Sequence, residues 1–193
     1  MYIAGVDEAG RGPIAGPVFA AAVILDNDKP IDGLKDSKKL SKKKRLALCA
    51  LIRKNSLAYS VSMIDSQMID KINILQASLL AMKRSILSLS IHPNVVKIDG
   101  NQIPSFNKDT KDFYLESIIK GDEKIQEISA ASIMAKVYRD RYMNFLHFKY
   151  PDYNFIVNKG YPTKDHLDRL KKFGLTPFHR LSFKPCVLIR SAI

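Results

Sequence analysis

The chain has 193 residues, 46% of them hydrophobic, enough for one domain with a proper core. Its 31 Lys and Arg exceed its 19 Asp and Glu, and the resulting charge of +12 points to a polyanionic partner, nucleic acid first, or else to a surface whose lysines only keep it dispersed. The amino terminus lacks a secretory pattern, Gly16 and Pro17 break the apolar stretch Ile14 to Leu25, and Cys49 and Cys186 form no CxxC pair; these features argue against export, a membrane span, a zinc framework and a disulfide framework, and for a cytoplasmic protein.

Tyr2 to Asp7 alternates weakly and Val18 to Leu25 is compact and apolar, so both read as strands, an antiparallel pair joined through Gly10-Arg11-Gly12-Pro13. That turn is no dinucleotide fingerprint, because it leads into a strand with the wrong glycine spacing, and no P-loop, because no Lys-Ser or Lys-Thr closes it. It is suited to present backbone N–H groups and a guanidinium to a phosphate or sugar. Ser41 caps a helix from Lys42 to about Lys54, with Leu46, Leu48, Cys49 and Ile52 on its apolar side. The basic run Lys35 to Arg45 gathers at that helix's amino terminus, where phosphate is attracted, and Ser37 and Lys38 in the preceding loop are its phosphate candidates.

A strand near Leu57 to Met63 comes next, then a helical pattern from Ile64 to Ser90, which His92-Pro93-Asn94 ends. Asn94 to Asp99 and Tyr114 to Ile119 read as short strands of a parallel arrangement, closed by Gly100 and Gly121. Ile125 to Phe148 is helical, with Asp140 an ion-pair partner among its arginines, and Thr163 caps a last helix that Gly174 terminates. His179-Arg180 offers either a substrate contact or, as a histidine there more often does, packing or capping. The order implies an α/β fold, a mixed sheet flanked by helices over residues 1–149, with a carboxyl-terminal helical appendage over 150–193.

Four acids stand out by place. Asp7 and Glu8 end the first strand, Asp99 ends a later one and Asp122 follows another, each next to or near a glycine. A single strand-end acid is ordinarily a turn cap or a partner for a surface lysine; four that converge above one sheet edge make a site for hard divalent cations. Two such ions, Mg²⁺ or Mn²⁺, about 3.5 to 4 Å apart are suited to phosphodiester cleavage. A non-catalytic nucleic-acid-binding protein would gain by replacing these acids with lysine, since they repel a phosphate backbone unless metal ions intervene.

Gly5-Val6-Asp7-Glu8-Ala9-Gly10-Arg11-Gly12-Pro13 resembles the opening motif of ribonuclease HII, the type 2 ribonuclease H. Asp36-Ser37-Lys38-Lys39-Leu40, Ile98-Asp99-Gly100-Asn101, Lys120-Gly121-Asp122, Ile128-Ser129-Ala130-Ala131-Ser132-Ile133 with Ala135-Lys136-Val137, and Lys159-Gly160-Tyr161-Pro162-Thr163 are similar to its further signatures, in order along nearly the whole chain. The resemblance implies a ribonuclease H-like domain and an endonuclease that cuts the RNA strand of RNA-DNA hybrids, including 5′ to single ribonucleotides in duplex DNA, leaving 3′-hydroxyl and 5′-phosphate ends. It makes Asp7, Glu8, Asp99 and Asp122 the acids that hold two divalent ions. Gly10, Arg11 and Gly12 become the loop that senses the ribose 2′-hydroxyl, Ser37 and Lys38 substrate contacts, and Tyr161 the residue packed on the neighbouring deoxyribose. The Gly-Arg-Gly loop beside Asp7-Glu8 argues against a junction-resolving nuclease or integrase of the same fold group. The match is to bacterial-type members acting as monomers away from membranes: the start lacks the extra domain of ribonuclease HIII, and Leu188 to Ile193 lacks the clamp-binding motif of many archaeal relatives. The segment Ser105 to Asp112 departs from the pattern in length and charge, so Asp122 is placed by its Lys-Gly-Asp context.

Overall fold

The computed structural model describes residues 1–106 and 112–191. Residues 107–111, most of the charged segment 105–112, and the last two residues of the chain lie outside the described residues. Five strands, β1 (Ile3–Ala9), β2 (Val18–Ile24), β3 (Ala58–Ile64), β4 (Val95–Asp99) and β5 (Tyr114–Ile118), form one sheet in the order β3-β2-β1-β4-β5. β2 pairs antiparallel with β1 and β3, while β4 pairs parallel with β1 and β5. The mixed sheet expected from the sequence is therefore present, and β1 and β4, both central, run side by side in the same direction.

Two layers of helix cover the sheet. Alternate side chains of β1 and β2, among them Val6, Ala20 and Ala22, pack with Ile69, Ala77, Ala81 and Met82 of α2 (Ser66–Leu87). Ala21 and Val23 face the other way, onto Leu48, Cys49 and Ile52 of α1 (Lys42–Asn55) and onto Ala130, Ala131 and Met134 of α4 (Gln126–Lys149). β2 is thus buried along its whole length, which is why it reads as an unbroken apolar run. Ser41 caps α1 as expected, accepting from the Lys44 N–H at 3.3 Å. Gly5 is the point of closest approach: a Cβ there would lie 2.1 Å from the backbone carbon of Glu127, so only glycine lets the first turn of α4 rest on β1.

The helical pattern from Ile64 to Ser90 is corrected in two respects. It begins after Asp65, whose carboxylate accepts from the Met68 N–H at 2.8 Å, and it is interrupted at Asn73, where φ is +66°. The Asn73 side chain accepts from the Gln76 N–H at 3.1 Å, so the same residue that breaks the helix caps its continuation.

Beyond Tyr150 lie a 3-10 turn (Pro151–Tyr153), α5 (Phe155–Asn158), α6 (Lys164–Phe173) and α7 (Lys184–Arg190). Thr163 caps α6 and Gly174 follows it, as the sequence implies, while α7 is an addition. Tyr153, Phe155, Leu170 and Cys186 share an apolar cluster with Ile14, Ala15, Met143 and Leu146, seating these helices on the β1–β2 turn and the end of α4. Among the described residues no helix is long and apolar enough to cross a membrane.

Candidate metal centre and substrate cleft

The sheet register places the first two acids. Val6 on β1 pairs with Ile98 on β4, so the next residues, Asp7 and Asp99, emerge together at the same end of adjacent parallel strands. Asp122 arrives by a short detour: β5 ends, Lys120 takes a left-handed conformation, and α3 (Gly121–Lys124) turns back over the strand ends. Asp99 anchors that turn, its Oδ1 accepting from the Gly121 N–H at 2.7 Å and the Asp122 N–H at 3.4 Å. A Cβ on Gly121 would meet Ile128 at 2.6 Å and Asp99 Oδ1 at 3.4 Å, which explains the glycine before this acid. The Ser129 hydroxyl donates to the Asp122 carbonyl at 2.7 Å and ties α3 to α4.

Carboxylate oxygens of Asp7, Asp99 and Asp122 consequently lie within 4.8 Å of one another. Glu8 sits beside this group, its backbone N–H donating to Asp7 Oδ1 at 2.6 Å and its carboxylate 3.4 Å from the Arg11 guanidinium. Burial, then the charges of Glu8 and Asp99, push the Asp7 carboxyl well above the usual carboxylate range. Burial also raises Glu8, against the opposing pull of Arg11, and burial with the Asp99 charge raises Asp122. Such a group favours protons or cations over empty carboxylates. Lys38 answers part of the demand: partial burial disfavours its charge, yet Asp36, Asp122, Asp7 and Asp99 together hold its ammonium above the ordinary lysine range.

The remaining residues singled out in the sequence meet in one cleft of about 280 Å³, lined by Asp7, Glu8, Gly10, Arg11, Gly12, Ser37, Lys38 and Tyr161 among others. Larger hollows of about 390 and 580 Å³ contain none of the four acids, so chemistry rather than size marks the site. Asp36 shapes the near wall, its carboxylate accepting from the Lys38 N–H at 2.9 Å, and Arg45 fixes it from behind by donating to the carbonyls of Ser37 and Leu40 at 2.7 and 2.8 Å. Tyr161 is 44% exposed across from the glycine loop, where a Cβ on Gly12 would lie 3.6 Å from its ring.

Three contributors were not anticipated. The Ser132 hydroxyl, on α4, lies 3.0 Å from that of Ser37 and is turned to the side of Asp7 where it favours the charged carboxylate. Its signal was the run of small residues from Ser129 to Ser132. Arg139 and Arg180 are buried and grip the loop by its carbonyls. Arg139 donates to Pro17, Ala15 and Lys159 at 3.1, 3.2 and 3.0 Å, and Arg180 to Gly16, Arg11 and Gly10 at 2.9, 3.0 and 2.6 Å. Burial lowers Arg139 to about 10 and, with the Arg139 charge adding, Arg180 to about 9, leaving both cationic near neutrality. Among the described residues the N–H groups of Arg11 and Gly12 take no internal partner. Asp140 is indeed an ion-pair residue, but its partners are Lys136 at 2.7 Å and Arg45 at 4.0 Å rather than its neighbouring arginines. His179 and Arg180 are 1% and 0% exposed, so the pair follows the packing reading rather than that of a substrate contact.

A sequence model of the family Ribonuclease HII matches residues 4–186. Proteins named Ribonuclease HII from Janthinobacterium sp. (strain Marseille) and Caldicellulosiruptor bescii are 53% and 52% identical to the chain, over 95% and 97% of it and 85% and 88% of their own lengths. The crystal structure of the ribonuclease H2 from Pyrococcus horikoshii OT3 superposes with a TM-score of 0.81 at 28% identity, covering 100% of this chain and 98% of the other.

Proposed function

Because the chain belongs to the ribonuclease HII family, and is accordingly a metal-dependent endonuclease, we propose that it cuts the RNA strand of RNA-DNA hybrids and the 5′ side of single ribonucleotides in duplex DNA. The observation that carries this reading is the meeting of Asp7, Asp99 and Asp122 beside a cleft that also holds the glycine loop and Tyr161.

Three hard-oxygen donors within 4.8 Å, two of them buried and, in Asp7 and Asp122, disfavoured as bare charges, fit divalent ions such as Mg²⁺ or Mn²⁺. Asp7, Asp99 and Asp122 would hold them, with Glu8 completing the set from the side of the loop. Two such ions, when bound, supply Lewis-acid activation of the attacking water and stabilisation of the departing oxygen. In the reaction, water adds to phosphorus, the bond from phosphorus to the 3′ oxygen breaks, and that oxygen leaves with a proton, giving 3′-hydroxyl and 5′-phosphate ends. Lys38 and Ser37 lie against the acids, where an ammonium and a hydroxyl are placed to steady the phosphate as charge gathers.

Selection of the bond falls to the loop and Tyr161. Arg139 and Arg180 bind the loop carbonyls, so the unpartnered N–H groups of Arg11 and Gly12 are available to a ribose 2′-hydroxyl, the group that separates RNA from DNA. The Tyr161 ring across from Gly12 is placed to pack on the next sugar and to reject a second 2′-hydroxyl there.

The test is a labelled duplex carrying one ribonucleotide beside a long hybrid, each incubated with Mg²⁺, with Mn²⁺ and with excess chelator. Cleavage 5′ to the ribonucleotide in metal alone is expected. Tyr161→Ala should lose about tenfold or more on the single-ribonucleotide duplex and less on the long hybrid. Full activity in chelator removes the metal, and equal losses on both substrates make Tyr161 a packing residue.

A further inference from the structure

A pair of histidines unused by the chemistry above lies directly behind Tyr161. His166 on α6 and His179 in the turn after it are 0% and 1% exposed, with their Nε2 atoms 3.1 Å apart. The Phe155 ring packs on both, at 5.5 and 5.8 Å between centroids, and the Tyr153 ring on His179 at 5.2 Å.

The proton positions follow from the partners. The Thr176 N–H donates to His179 Nδ1 at 2.9 Å, so that nitrogen carries a lone pair, and the proton of a neutral ring must sit on Nε2. His179 Nε2 therefore donates to His166 Nε2. His166 then holds its own proton on Nδ1, which donates to the Tyr161 carbonyl at 2.8 Å. One polarised chain runs from the Thr176 amide to the Tyr161 carbonyl, and it exists only with both rings neutral and in these tautomers. Burial supplies the condition, since it lowers the basicity of His166 and pushes His179 down to about 3, the neighbouring ring adding to the effect. The charged groups nearby are turned to other tasks: Asp165 and Arg169 pair with each other at 2.7 Å on the exposed side of α6, and Arg180 donates to loop carbonyls.

The far end of the chain is tied to the glycine loop. Phe178 accepts from the Gly16 N–H, and the Arg180 N–H donates to Ile14, both at 2.8 Å, while the Arg180 side chain holds Gly10 and Arg11. The segment that holds the 2′-hydroxyl loop and the turn that carries Tyr161 are thus joined through the two rings. We propose that His166 and His179 are positioning residues that set the height of the Tyr161 ring over the Gly10–Gly12 loop, and thereby the preference for a single ribonucleotide over a continuous RNA strand. This rests on the reading of Tyr161 given above.

The test measures cleavage of the single-ribonucleotide duplex and of a long hybrid by wild type, His166→Leu, His166→Asn, Tyr161→Ala and the double variant His166→Leu/Tyr161→Ala, with thermal melting as the check on folding. His166→Leu removes the donor to Tyr161 and should lower the ratio of the two rates by about tenfold, as small misplacements of substrate-contacting groups do. His166→Asn can keep a donor near the Nδ1 position and should hold the ratio within about twofold of wild type. Added to Tyr161→Ala, His166→Leu should change the ratio no further, because its effect passes through that ring. An unchanged ratio in His166→Leu, with Tyr161→Ala altered, overturns the positioning role alone; an unchanged ratio in Tyr161→Ala overturns it together with the reading of Tyr161. Should the leucine variant not fold, nitrogen-15 spectra of wild type decide: protons on His166 Nδ1 and His179 Nε2 support the relay, and the opposite tautomer in either ring refutes it.

Discussion

Replacing Asp7 by Asn should make the metal-free protein more stable and the metal-loaded protein less so. Asp7 is 5% exposed, and its carboxylate lies within 4.8 Å of those of Asp99 and Asp122. At that distance two unit charges repel by roughly 3 kcal/mol at an effective dielectric of about 20. The Lys38 ammonium and solvent screening reduce this, leaving a net gain of about 1 to 2 kcal/mol for the neutral side chain. The amide keeps an oxygen that can accept from the Glu8 N–H and from Ser132, so little is lost in exchange. For a chain of this size the gain corresponds to a rise in melting temperature of about 2 to 8 °C in chelator. The sign with pH is fixed as well. The folded Asp7 carboxyl titrates above its unfolded value, so the folded state holds more protons, and wild-type stability from this group is full below the unfolded pKa and lost as pH rises through the folded one. The margin of the variant over wild type should therefore widen from the acid side toward neutrality. Saturating Mn²⁺ or Mg²⁺ reverses the order, because wild type gains about 2.7 kcal/mol at a hundredfold excess over Kd while the variant gains far less. Melting curves in chelator and in metal across this pH range provide the assay. A variant less stable than wild type in chelator, or one that gains as much from metal, refutes the reasoning.

Two further perturbations test the neighbouring parts. Binding of wild type to hybrid should weaken steeply with salt, and Lys38→Ala should flatten the log-log slope by about 0.9 for the one phosphate contact removed without changing the bond cut; a wild-type slope near zero would make the basic surface only a solubility device. Gly10→Ala should cost about 2 to 4 kcal/mol in a denaturant melt, since φ is +105° and the new Cβ would lie 2.2 Å from Nε of the immobilised Arg139; a melt unchanged from wild type would show that the loop is not held as described.

The parts of this architecture legible in the sequence are those that local physics decides. β2 declared itself because both of its faces are covered, α1 because Ser41 and an apolar side mark it, and α6 because Thr163 and Gly174 bracket it. The acids were visible as strand-end residues able to converge, but the pairing that brings them together was not, because the register of Val6 against Ile98 is set by a crossover through α2 that no local pattern encodes. α3 escaped notice because four residues show no periodicity, although it is what swings Asp122 onto Asp99. Asn73 escaped because a cap inside an apolar stripe leaves the stripe intact. Arg139 read as an ion-pair partner of Asp140 and Arg180 as the neighbour of a packing histidine, and nothing in a sequence distinguishes an arginine that pairs with an acid from one that serves backbone carbonyls.

That last distinction bears on how so basic a chain keeps a usable acidic centre. A buried guanidinium normally seeks a carboxylate, and had Arg139 or Arg180 found Asp7 or Glu8, the pair would have been neutral and poor at holding cations. Each arginine instead donates to three carbonyls, among them those of Gly10, Arg11, Ala15, Gly16 and Pro17. These carbonyls belong to a turn too tight to satisfy itself with ladder bonds, so the arrangement meets two needs at once. Only the flat, forked guanidinium reaches several oxygens from one point, which a lysine ammonium on a single stem does less well. With its oxygens held from behind, the loop is fixed in place while the N–H groups of Arg11 and Gly12 stay unpartnered among the described residues, and the neighbouring carboxylates keep their demand for positive charge. The segregation of buried cations behind the loop from the acids beside it is therefore what would let one short stretch, Asp7 to Gly12, carry both the proposed metal donors and the proposed sugar-sensing donors.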